Sequence, residues 1–486
     1  MTAQPIIVWF RRDLRLHDHG ALSAAVGMGA PLVPVYIHDD ETPGRPVPGA
    51  ASRWWLHESL QSLDSDLRRR GSRLVLARGP ALNVLADLAR ETGASAIYWS
   101  RGYEPRAVKL EGALQRALEG AGVRCRRFSG SLLFEPEDVR SDGRAPHHLF
   151  SRFQKSCMKL AAPGKVLKAP PSMPRVPEGV ESDTLELWNL QSSEQDRGPS
   201  ISAAWTPGET GARARLEGLI CDRLEDYARA RAFPGVEGTS RLSPHLHFGE
   251  ISPREVWNAV SLAVSAAAAK GRNLEAGARS FLAALVWREF PQHLLFHWPH
   301  LASSPFDTEF ADFPWRGGDA DLKAWQEGRT GIPIIDAGMR ELWTTGWMHH
   351  EVRVIAASFL VKHLLISWQS GADWFRDTLV DADPASNAVN WQRVAGCGAD
   401  AAAHGRVINP VLRGRKLDPG GAYVKSWVPE LAKLPAKHIH APWRASEKLL
   451  AGARVRLGET YPEPIVDLAA ARARALGAYE TIKGGS

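Results

Sequence analysis

The chain has 486 residues, of which 44% are hydrophobic and 23% are charged, and its formal net charge is +6. This length is too great for one ordinary hydrophobic core and predicts two or three domains with the composition of a globular protein. The sequence has no apolar run long enough to span a bilayer and no signal-peptide pattern, so we expect a cytoplasmic protein without a membrane partner. The mild basic excess permits a partner with a phosphate backbone and does not establish one.

The four cysteines argue against a metal or cluster site. They lie far apart in sequence and none belongs to a CxxC pair, whereas zinc and iron–sulfur sites need clustered thiolates. We therefore expect no bound metal, and thiols that are reduced and structural. The four positions are Cys125, Cys157, Cys221 and Cys397.

The first 130 residues alternate short β-branched runs with helical patterns. This alternation predicts a parallel sheet covered by helices, and hence an α/β domain at residues 1–130. No GxGxxG follows the first strand, so the usual dinucleotide fingerprint is missing. The clearest helical stripe contains Trp55, Leu56, Leu60, Leu63 and Leu67. The predicted strands span residues 6–9, 32–37, 73–77, 96–99 and 123–127.

Residues 131–210 are predicted to form a linker between domains. Segments such as KAPPSMPRVPEG and QSSEQDRGPS are rich in proline, glycine, serine and charge, which is typical of surface loops. From residue 211 to about 480 helical periodicity dominates, and we predict an all-helical C-terminal domain there. One of its stripes contains Leu216, Ile220, Leu224 and Tyr227.

Five segments resemble the photolyase/cryptochrome family, in the same order as in that family. The first is WFRRDLRLHDHGAL at the opening strand, and the resemblance continues to about residue 430. It implies a Rossmann-like α/β antenna-type domain, a linker and an all-helical FAD-binding domain, which agrees with the organisation predicted above. The other four segments are FPGVEGTSRLSPHLHFGEISPREVW (233–257), FLAALVWREF (281–290), WQEGRTGIPIIDAGMRELWTTGWMHHEVRVIAASFLVKHLL (325–365) and DADPASNAVNWQ (381–392).

The segment from Gly238 to Ser243 has the groups that a pyrophosphate needs. It offers hydroxyls, backbone N–H groups and the guanidinium of Arg241 just before a helical pattern, although an ordinary Ser/Thr helix cap would look the same. The resemblance implies FAD as the cofactor, together with a set of side chains that contact it. These are Tyr227, Thr239, Ser240, Arg241, Leu242, Ser243, Phe281, Arg288, Trp347, Arg353, Asp381, Asp383 and Asn387.

The residues expected around the flavin ring come from the last family segment. The resemblance implies that Asp381 pairs with Arg353 beside the flavin and that Asp383 touches the ring or the ribose. Asn387 matches the side chain that faces the flavin N5, where hydrogen bonds and charge tune the cofactor. An ordinary Asp-x-Asp surface turn is the alternative interpretation of this segment.

Three tryptophans match the electron-transfer wire of the family. The resemblance implies that Trp391 lies near the flavin, Trp368 in the middle and Trp315 near solvent. An excited oxidised flavin could then draw an electron from outside the protein. Core packing, the usual role of tryptophan, is the alternative. These three residues and Asn387 are candidate catalytic residues.

The expected substrate pocket departs from the family. In repair members a damaged base leaves the duplex and enters a pocket above the flavin. Trp287, which matches a pocket tryptophan, is retained. Ala284 stands where dimer photolyases carry a glutamate, and Arg393 stands where they carry a second tryptophan. Half of the aromatic clamp on the lesion is therefore missing, although arginine can also stack.

The departures continue after the GWMH segment. His350 and Glu351 replace an Asn-Arg pair, Val354 replaces a methionine, and His404 lies in a segment that replaces DAAPYFR. His350 matches the first of two pocket histidines of six-four photolyases and is a fifth candidate catalytic residue. Because Val354 occupies the second histidine position, the proton relay of that branch is broken.

The resemblance implies a photolyase-type carbon–carbon lyase that uses blue light and FAD to transfer an electron to a pyrimidine lesion, with damaged DNA as its partner. The rebuilt pocket leaves two alternatives open: a cryptochrome-type photoreceptor without repair activity, acting on a protein partner, and a flavoenzyme that acts on a small molecule. The antenna domain could hold a folate, a deazaflavin or no chromophore. The basic run Arg413-Gly414-Arg415-Lys416 could contact phosphate or form a solvated loop.

Overall fold

The computed structural model describes residues 3–42, 47–141, 143, 145–160, 163–191, 198–401 and 406–483. The chain divides into two compact units. We call the unit formed by Met1–Gly198, Ser202–Glu225 and Ser240–Pro299 the N-terminal unit. The C-terminal unit comprises Pro199–Ile201, Asp226–Thr239 and His300–Ser486. The division predicted from the sequence (1–130, 131–210 and 211–480) was drawn from composition and periodicity, and stays a prediction.

The N-terminal unit contains a five-stranded parallel sheet with strand order β3-β2-β1-β4-β5. The central strands β1 and β4 are buried along their whole length, which explains why they appear in the sequence as continuous apolar runs rather than alternating ones. The predicted α/β fold is therefore confirmed. The strands are β1 (Ile6–Phe10), β2 (Leu32–His38), β3 (Val75–Arg78), β4 (Ala96–Ser100) and β5 (Arg124–Phe128).

Four helices connect the strands. The apolar stripe predicted from Trp55 to Leu67 lies on the second of them, and its members are buried. Crossover helices between parallel strands place apolar faces against the sheet, so the core forms from both elements. The helices are α1 (Gly20–Gly27), α2 (Ala50–Arg68), α3 (Ala81–Thr92) and α4 (Pro105–Gly120).

The remaining regular secondary structure of the described chain is helical, apart from isolated bridges such as the one between Leu457 and Tyr461. The predicted all-helical half is confirmed. Leu219–Arg223 and Phe359–His363 are π-helical. The α-helices are α5 (Phe150–Cys157), α6 (Gly198–Ala204), α7 (Glu209–Gly218), α8 (Tyr227–Ala230), α9 (Ser243–Phe248), α10 (Pro253–Ala268), α11 (Glu275–His297), α12 (Asp319–Gln326), α13 (Pro333–Thr345), α14 (His350–Ser358), α15 (Trp368–Thr378), α16 (Pro384–Ala395), α17 (Pro410–Leu417), α18 (Ala422–Trp427), α19 (Ala436–Ile439), α20 (Glu447–Ala453) and α21 (Leu468–Lys483).

The C-terminal unit has a large apolar core that surrounds α13 to α16. Its fully buried members include Trp325, Ile335, Phe359 and Leu360. Close packing of this kind restricts side chains to single rotamers. Two of the predicted flavin contacts, Arg353 on α14 and Asn387 on α16, are therefore carried by rigid helices rather than loops.

Candidate functional site

The start of α16 positions the residues predicted around the flavin ring. Asp383 is the N-cap of this helix, and its carboxylate accepts a hydrogen bond from the Ser386 amide at 2.8 Å. Pro384 occupies the first helical turn, where its missing N–H costs nothing. One turn later, Nδ2 of Asn387 donates to the carbonyl of Ala372 on α15 at 2.8 Å. The Asn387 amide is thus held in one orientation by a neighbouring helix.

Asp381 and Arg353 form the ion pair that the resemblance implies. Nη2 of Arg353 lies 3.0 Å from Oδ2 of Asp381, and Nε of Arg353 donates to the carbonyl of Met348 at 2.7 Å. The guanidinium carbon lies 5.8 Å from the ring centroid of Trp347. The other carboxylate oxygen, Oδ1 of Asp381, is buried and has no hydrogen-bond partner among the residues that the structure describes. An N–H or O–H group of a bound cofactor would satisfy this acceptor, so the site fits a flavin.

The three predicted wire tryptophans all lie in the C-terminal unit and differ in burial. Trp391 and Trp368 are 3% and 4% exposed, whereas Trp315 is only partly buried at the edge of the same core. The ring centroid of Trp391 lies 5.0 Å from that of Phe375, and Trp315 lies 4.4 Å from Phe313. Trp315 is thus the most exposed of the three, and the electron-transfer wire stays a prediction.

The Trp391 indole lies against the backbone of α15 at Gly371. A Cβ atom added at Gly371 would lie 2.2 Å from Cη2 of Trp391, a distance that no real contact shows. Glycine is therefore needed at this position for the helices α15 and α16 to hold the ring between them.

The first turn of α14 carries the rebuilt pocket positions. His350 is exposed to solvent at this turn, yet protein atoms lie densely around it. This desolvation lowers the pKa of His350 to about 4, with the Glu351 carboxylate opposing and the guanidinium groups of Arg353, Arg231 and Arg393 adding to the shift. The imidazole is therefore neutral near pH 7.

His349 is the N-cap of the same helix. Its Nδ1 accepts a hydrogen bond from the Glu351 amide at 3.3 Å, and its Nε2 is buried with no hydrogen-bond partner in the described part of the chain. Burial lowers the pKa of His349 to about 4. We did not predict His349 as a site residue. Two features of the sequence could have identified it: the consecutive histidines His349 and His350, and their position at the start of a predicted helix.

Two further predicted contacts of the C-terminal unit lie outside these helices. Tyr227 begins α8 and is buried, and the guanidinium carbon of Arg231 lies 5.7 Å from its ring centroid. Thr239 is partly buried. It follows Gly238, where an added Cβ would lie 2.4 Å from the carbonyl oxygen of Ala230. The loop that carries Thr239 can therefore pass this close to the Ala230 backbone only because residue 238 is glycine.

The remaining phosphate-binding candidates lie in the N-terminal unit at the start of α9. Ser243 is the first residue of that helix and Leu242 its N-cap, so the predicted placement before a helix is correct. Arg241 has φ of 50°, in the left-handed region that costs a non-glycine residue roughly 1–3 kcal/mol. The Leu242 amide donates to Oγ of Ser240 at 3.3 Å.

Phe281, Ala284, Trp287 and Arg288 all lie on α11 of the N-terminal unit. The ring centroid of Trp287 lies 4.5 Å from that of Phe150 in an edge-to-face arrangement. The guanidinium of Arg288 donates to two backbone carbonyls, that of Ser131 at 3.2 Å and that of Leu246 at 2.9 Å. Arg288 thus connects α11 with α9 as well as being a predicted FAD contact.

Sequence reasoning missed the residue next to Arg288. Glu289 is buried, and its Oε2 accepts hydrogen bonds from the amides of Leu133 and Phe134 at 2.7 and 3.2 Å. Burial raises the pKa of Glu289 to about 7. Its only sequence signal was an acidic residue inside an apolar helical run.

Val354 lies on α14, and Arg393 lies on α16, two residues beyond Trp391. The carboxylate of Glu351 pairs with Arg413 of α17, which the sequence did not predict. The basic run from Arg413 to Lys416 lies on this helix rather than in the solvated loop that we gave as one alternative. His404 lies outside the described residues.

A cavity of about 290 Å³ lies beside the C-terminal end of β2 in the N-terminal unit. Its wall includes Tyr36, His38, Arg53 and Trp188. The Trp188 ring stacks on His38 with centroids 5.2 Å apart and an interplanar angle of 29°. The cavity therefore offers a flat aromatic wall next to the carboxyl end of a parallel sheet, where α/β folds commonly bind ligands.

The described residues contain neither a membrane-spanning helix nor a metal-binding cluster. No helix there combines the length and the apolar character that a membrane crossing requires. No cluster of three or more histidine, cysteine or acidic side chains in the same residues has the arrangement of a metal site.

Comparisons with known proteins agree with the resemblance seen in the sequence. A model of the FAD-binding domain of DNA photolyase matches residues 281–481, and a DNA photolyase model matches residues 6–175. A deoxyribodipyrimidine photo-lyase of Agrobacterium fabrum is 47% identical over 484 residues, 99% of both chains. Cryptochrome-1 of Arabidopsis thaliana is 39% identical over 96% of this chain and 69% of its own length. The crystal structure of a bacterial class III photolyase from Agrobacterium tumefaciens superposes with a TM-score of 0.95 at 46% identity, covering 100% of this chain and 98% of that one.

Proposed function

We propose that light-driven repair of pyrimidine lesions in DNA is the function of this chain, which belongs to the DNA photolyase and cryptochrome family. When bound, FAD supplies the light-excited electron that splits the lesion. The observation that supports this most directly is the Arg353–Asp381 ion pair. Oδ1 of Asp381 is buried and lacks a hydrogen-bond partner in the described chain. Asp381 lies just before α16, the helix that carries Asn387 and Trp391.

The residues of the C-terminal unit would bind the flavin ring. Asp381 would accept a hydrogen bond from it through Oδ1, and the ion pair with Arg353 holds that carboxylate in place. The side chain of Asn387 would face the ring while Ala372 holds its amide. Thr239, Ser240 and Arg241, followed by the helix start at Ser243, would bind the phosphates.

The lesion would be recognised by Trp287, His350 and Arg393. Trp287 offers a ring for stacking, which is worth roughly 1–3 kcal/mol per base. Arg393 would take the place of the second tryptophan through its planar guanidinium. His350, neutral because of its lowered pKa, presents one N–H donor and one acceptor nitrogen to the edges of the bases.

The test is a photoreactivation assay with the reduced holoprotein and a duplex that contains one thymine dimer. We expect blue light to restore the two thymines, and no reaction in the dark or with apoprotein. A holoprotein whose flavin is reduced normally by light, and which still leaves the dimer intact, would reject the repair function.

A cryptochrome-type photoreceptor is the second candidate. The replacement of Asn-Arg by His350-Glu351, and of a tryptophan by Arg393, favours it, as does the likeness to cryptochrome-1. Under this function light reduces the flavin through Trp391 and changes the affinity for a protein partner, while dimers remain unrepaired. The assay above therefore separates the two candidates.

We also propose that the cavity beside β2 binds a flat antenna chromophore, a folate or a deazaflavin. Trp188 would stack on it, as it stacks on His38 in the structure. Trp188→Ala should remove any absorption band of the purified protein that FAD does not explain, and should leave repair by direct flavin excitation unchanged. An unchanged spectrum would reject this site.

A further inference from the structure

Position 351 carries a charge of the wrong sign for a protein that binds DNA at this place. Dimer photolyases carry an Asn-Arg pair where this chain has His350-Glu351, as the family resemblance indicates. A carboxylate in a pocket that receives a phosphate backbone repels that backbone. Without a compensating positive charge nearby, the replacement of arginine by glutamate at position 351 would weaken DNA binding.

The structure supplies a guanidinium at this place from a different helix. Nη2 of Arg413 lies 2.5 Å from Oε2 of Glu351, although the two residues are 62 positions apart in sequence. The side chains are 35% and 25% exposed, respectively, so the pair is accessible to a ligand. Arg413 thus provides a positive charge directly beside position 351, where dimer photolyases carry an arginine.

The helix that carries Arg413 is held firmly. The side chain of Asn409 caps α17 by accepting a hydrogen bond from the Leu412 amide at 3.0 Å. At Gly414 an added Cβ would lie 2.9 Å from Nδ1 of His440 and 3.3 Å from Cβ of Ile334. This close approach of α17 to its neighbours fixes the direction in which Arg413 leaves the helix.

The outer face of α17 is suited to an anionic polymer. The helix PVLRGRKL contains three cations and no acidic residue, and Arg415 and Lys416 are exposed. Leu412, next to Arg413, is 63% exposed. A partly exposed ion pair adds little to stability, so the Glu351–Arg413 pair has little value as a fastening between helices. A guanidinium has five N–H donors in a planar fork, and it can bind a carboxylate on one side and a phosphate on another.

We propose that Arg413 binds a backbone phosphate of the damaged DNA strand and that Glu351 orients its guanidinium for this contact. This inference rests on the proposed repair function and adds a phosphate-binding residue to it. The Glu351–Arg413 pair replaces the single arginine that dimer photolyases carry at position 351.

The first test compares two single variants of the holoprotein. Dissociation constants are measured by fluorescence anisotropy, over a range of salt concentrations, for a duplex with one thymine dimer and for the same duplex undamaged. Arg413→Ala should weaken binding to the dimer duplex about tenfold and lower the salt slope by about 1. Arg456→Ala removes the same charge from an exposed pair with Glu459 outside α17 and should change the dissociation constant less than about threefold. Equal effects of the two variants would overturn the inference.

The second test moves the arginine back to position 351. Arg413→Glu alone should weaken binding to the dimer duplex more than Arg413→Ala does, because two carboxylates then face the phosphate. The double variant Glu351→Arg/Arg413→Glu restores an ion pair of the same composition and should recover binding to within about threefold of wild type. A double variant that binds no better than Arg413→Glu would overturn the inference, while circular dichroism verifies that both variants fold.

These outcomes are separable from failure of the proposed function. If the wild-type holoprotein binds the dimer duplex no more tightly than the undamaged one, the repair function fails, and this inference with it. If the wild type discriminates and Arg413→Ala binds the dimer duplex as tightly as the wild type, only the inference fails.

Discussion

Asp381 is the residue on which the cofactor assignment depends most. One of its carboxylate oxygens is paired with Arg353 and the other is buried without a partner in the described chain, a combination that costs free energy unless a ligand provides a donor. Asp381 belongs to the C-terminal unit, to which most of the predicted flavin-ring contacts belong.

Asp381→Asn tests this residue directly. The amide keeps the shape of the side chain and removes its charge, so Arg353 loses its partner and the flavin loses an ionised acceptor. We expect FAD affinity to fall about tenfold or more, measured by titrating apoprotein with FAD and following flavin fluorescence. Asp373→Asn, which removes an exposed carboxylate paired with Arg376 on α15, is the control and should leave the affinity unchanged. Equal affinities of wild type and Asp381→Asn would remove Asp381 from the site.

Trp391→Phe tests the wire. Phenylalanine fills most of the indole volume but is far harder to oxidise, so light-driven reduction of oxidised FAD should slow at least tenfold. The measurement is the decay of flavin absorption under blue light with an external reductant. Trp443→Phe changes a partly buried tryptophan packed against the same core and should have no effect. Unchanged kinetics in Trp391→Phe would leave the three indoles as core residues.

At the scale of elements, α15 and α16 act as a pair that holds Trp391. Gly371→Ala would force a methyl group into the indole, and overpacking of this kind costs roughly 1–3 kcal/mol. We expect a lower melting temperature together with altered photoreduction. Gly452→Ala on α20 meets no atom within 4 Å and should stabilise the helix by about 1 kcal/mol. A Gly371→Ala variant as stable as wild type would mean that the two helices pack less closely than described.

A second contact between elements, made by Lys362, connects the C-terminal helix α21 with α16. Lys362, buried in the π-helical segment, donates to the carbonyl of Ala395 at the end of α16 at 2.7 Å and to the hydroxyl of Tyr479 on α21. Burial lowers the pKa of Lys362 from 10.5 to about 7, an effect that Cys397 opposes. The unfolded chain therefore keeps a proton between about pH 7 and 10 that the folded chain has lost.

This difference in bound protons sets the sign of a pH effect. Because the unfolded state binds more protons in that window, the contribution of Lys362 makes stability rise with pH from about 7 to about 10. Lys362→Met should remove this rise when melting temperatures are compared across the window. Lys323→Met on α12, where the lysine is exposed, should leave the profile of the wild type. Identical pH profiles for Lys362→Met and wild type would show that Lys362 keeps its ordinary pKa.

At the scale of the whole molecule, binding of FAD should add to the stability of the folded chain. A ligand that binds only the folded chain stabilises it by about 2.7 kcal/mol when its concentration is 100 times the dissociation constant. Calorimetry should therefore show a higher melting temperature for the holoprotein than for the apoprotein, with a smaller difference in Asp381→Asn. Equal melting temperatures of holoprotein and apoprotein would contradict FAD binding to the folded chain.

Much of this architecture could be predicted from local patterns. Continuous apolar runs predicted β1 and β4, and the stripe from Trp55 to Leu67 predicted α2, because these periodicities follow from backbone geometry alone. The ordered family segments predicted the Arg353–Asp381 pair, which the structure contains. The cavity beside β2 was not predicted, since its wall brings together β2 and Trp188, which lie far apart in sequence.

The sequence by itself determined the fold class, the family and the identity of the cofactor, because these depend on periodicity and on motifs that survive in the linear order of residues. Only the tertiary structure decided that Oδ1 of Asp381 lacks a partner in the described chain, that Gly371 makes room for Trp391, and that Arg413 pairs with Glu351. Each of these features is a contact, or a missing contact, between residues that lie far apart in sequence. The packing of the helices determines whether such a contact forms, and no local pattern along the chain encodes that packing.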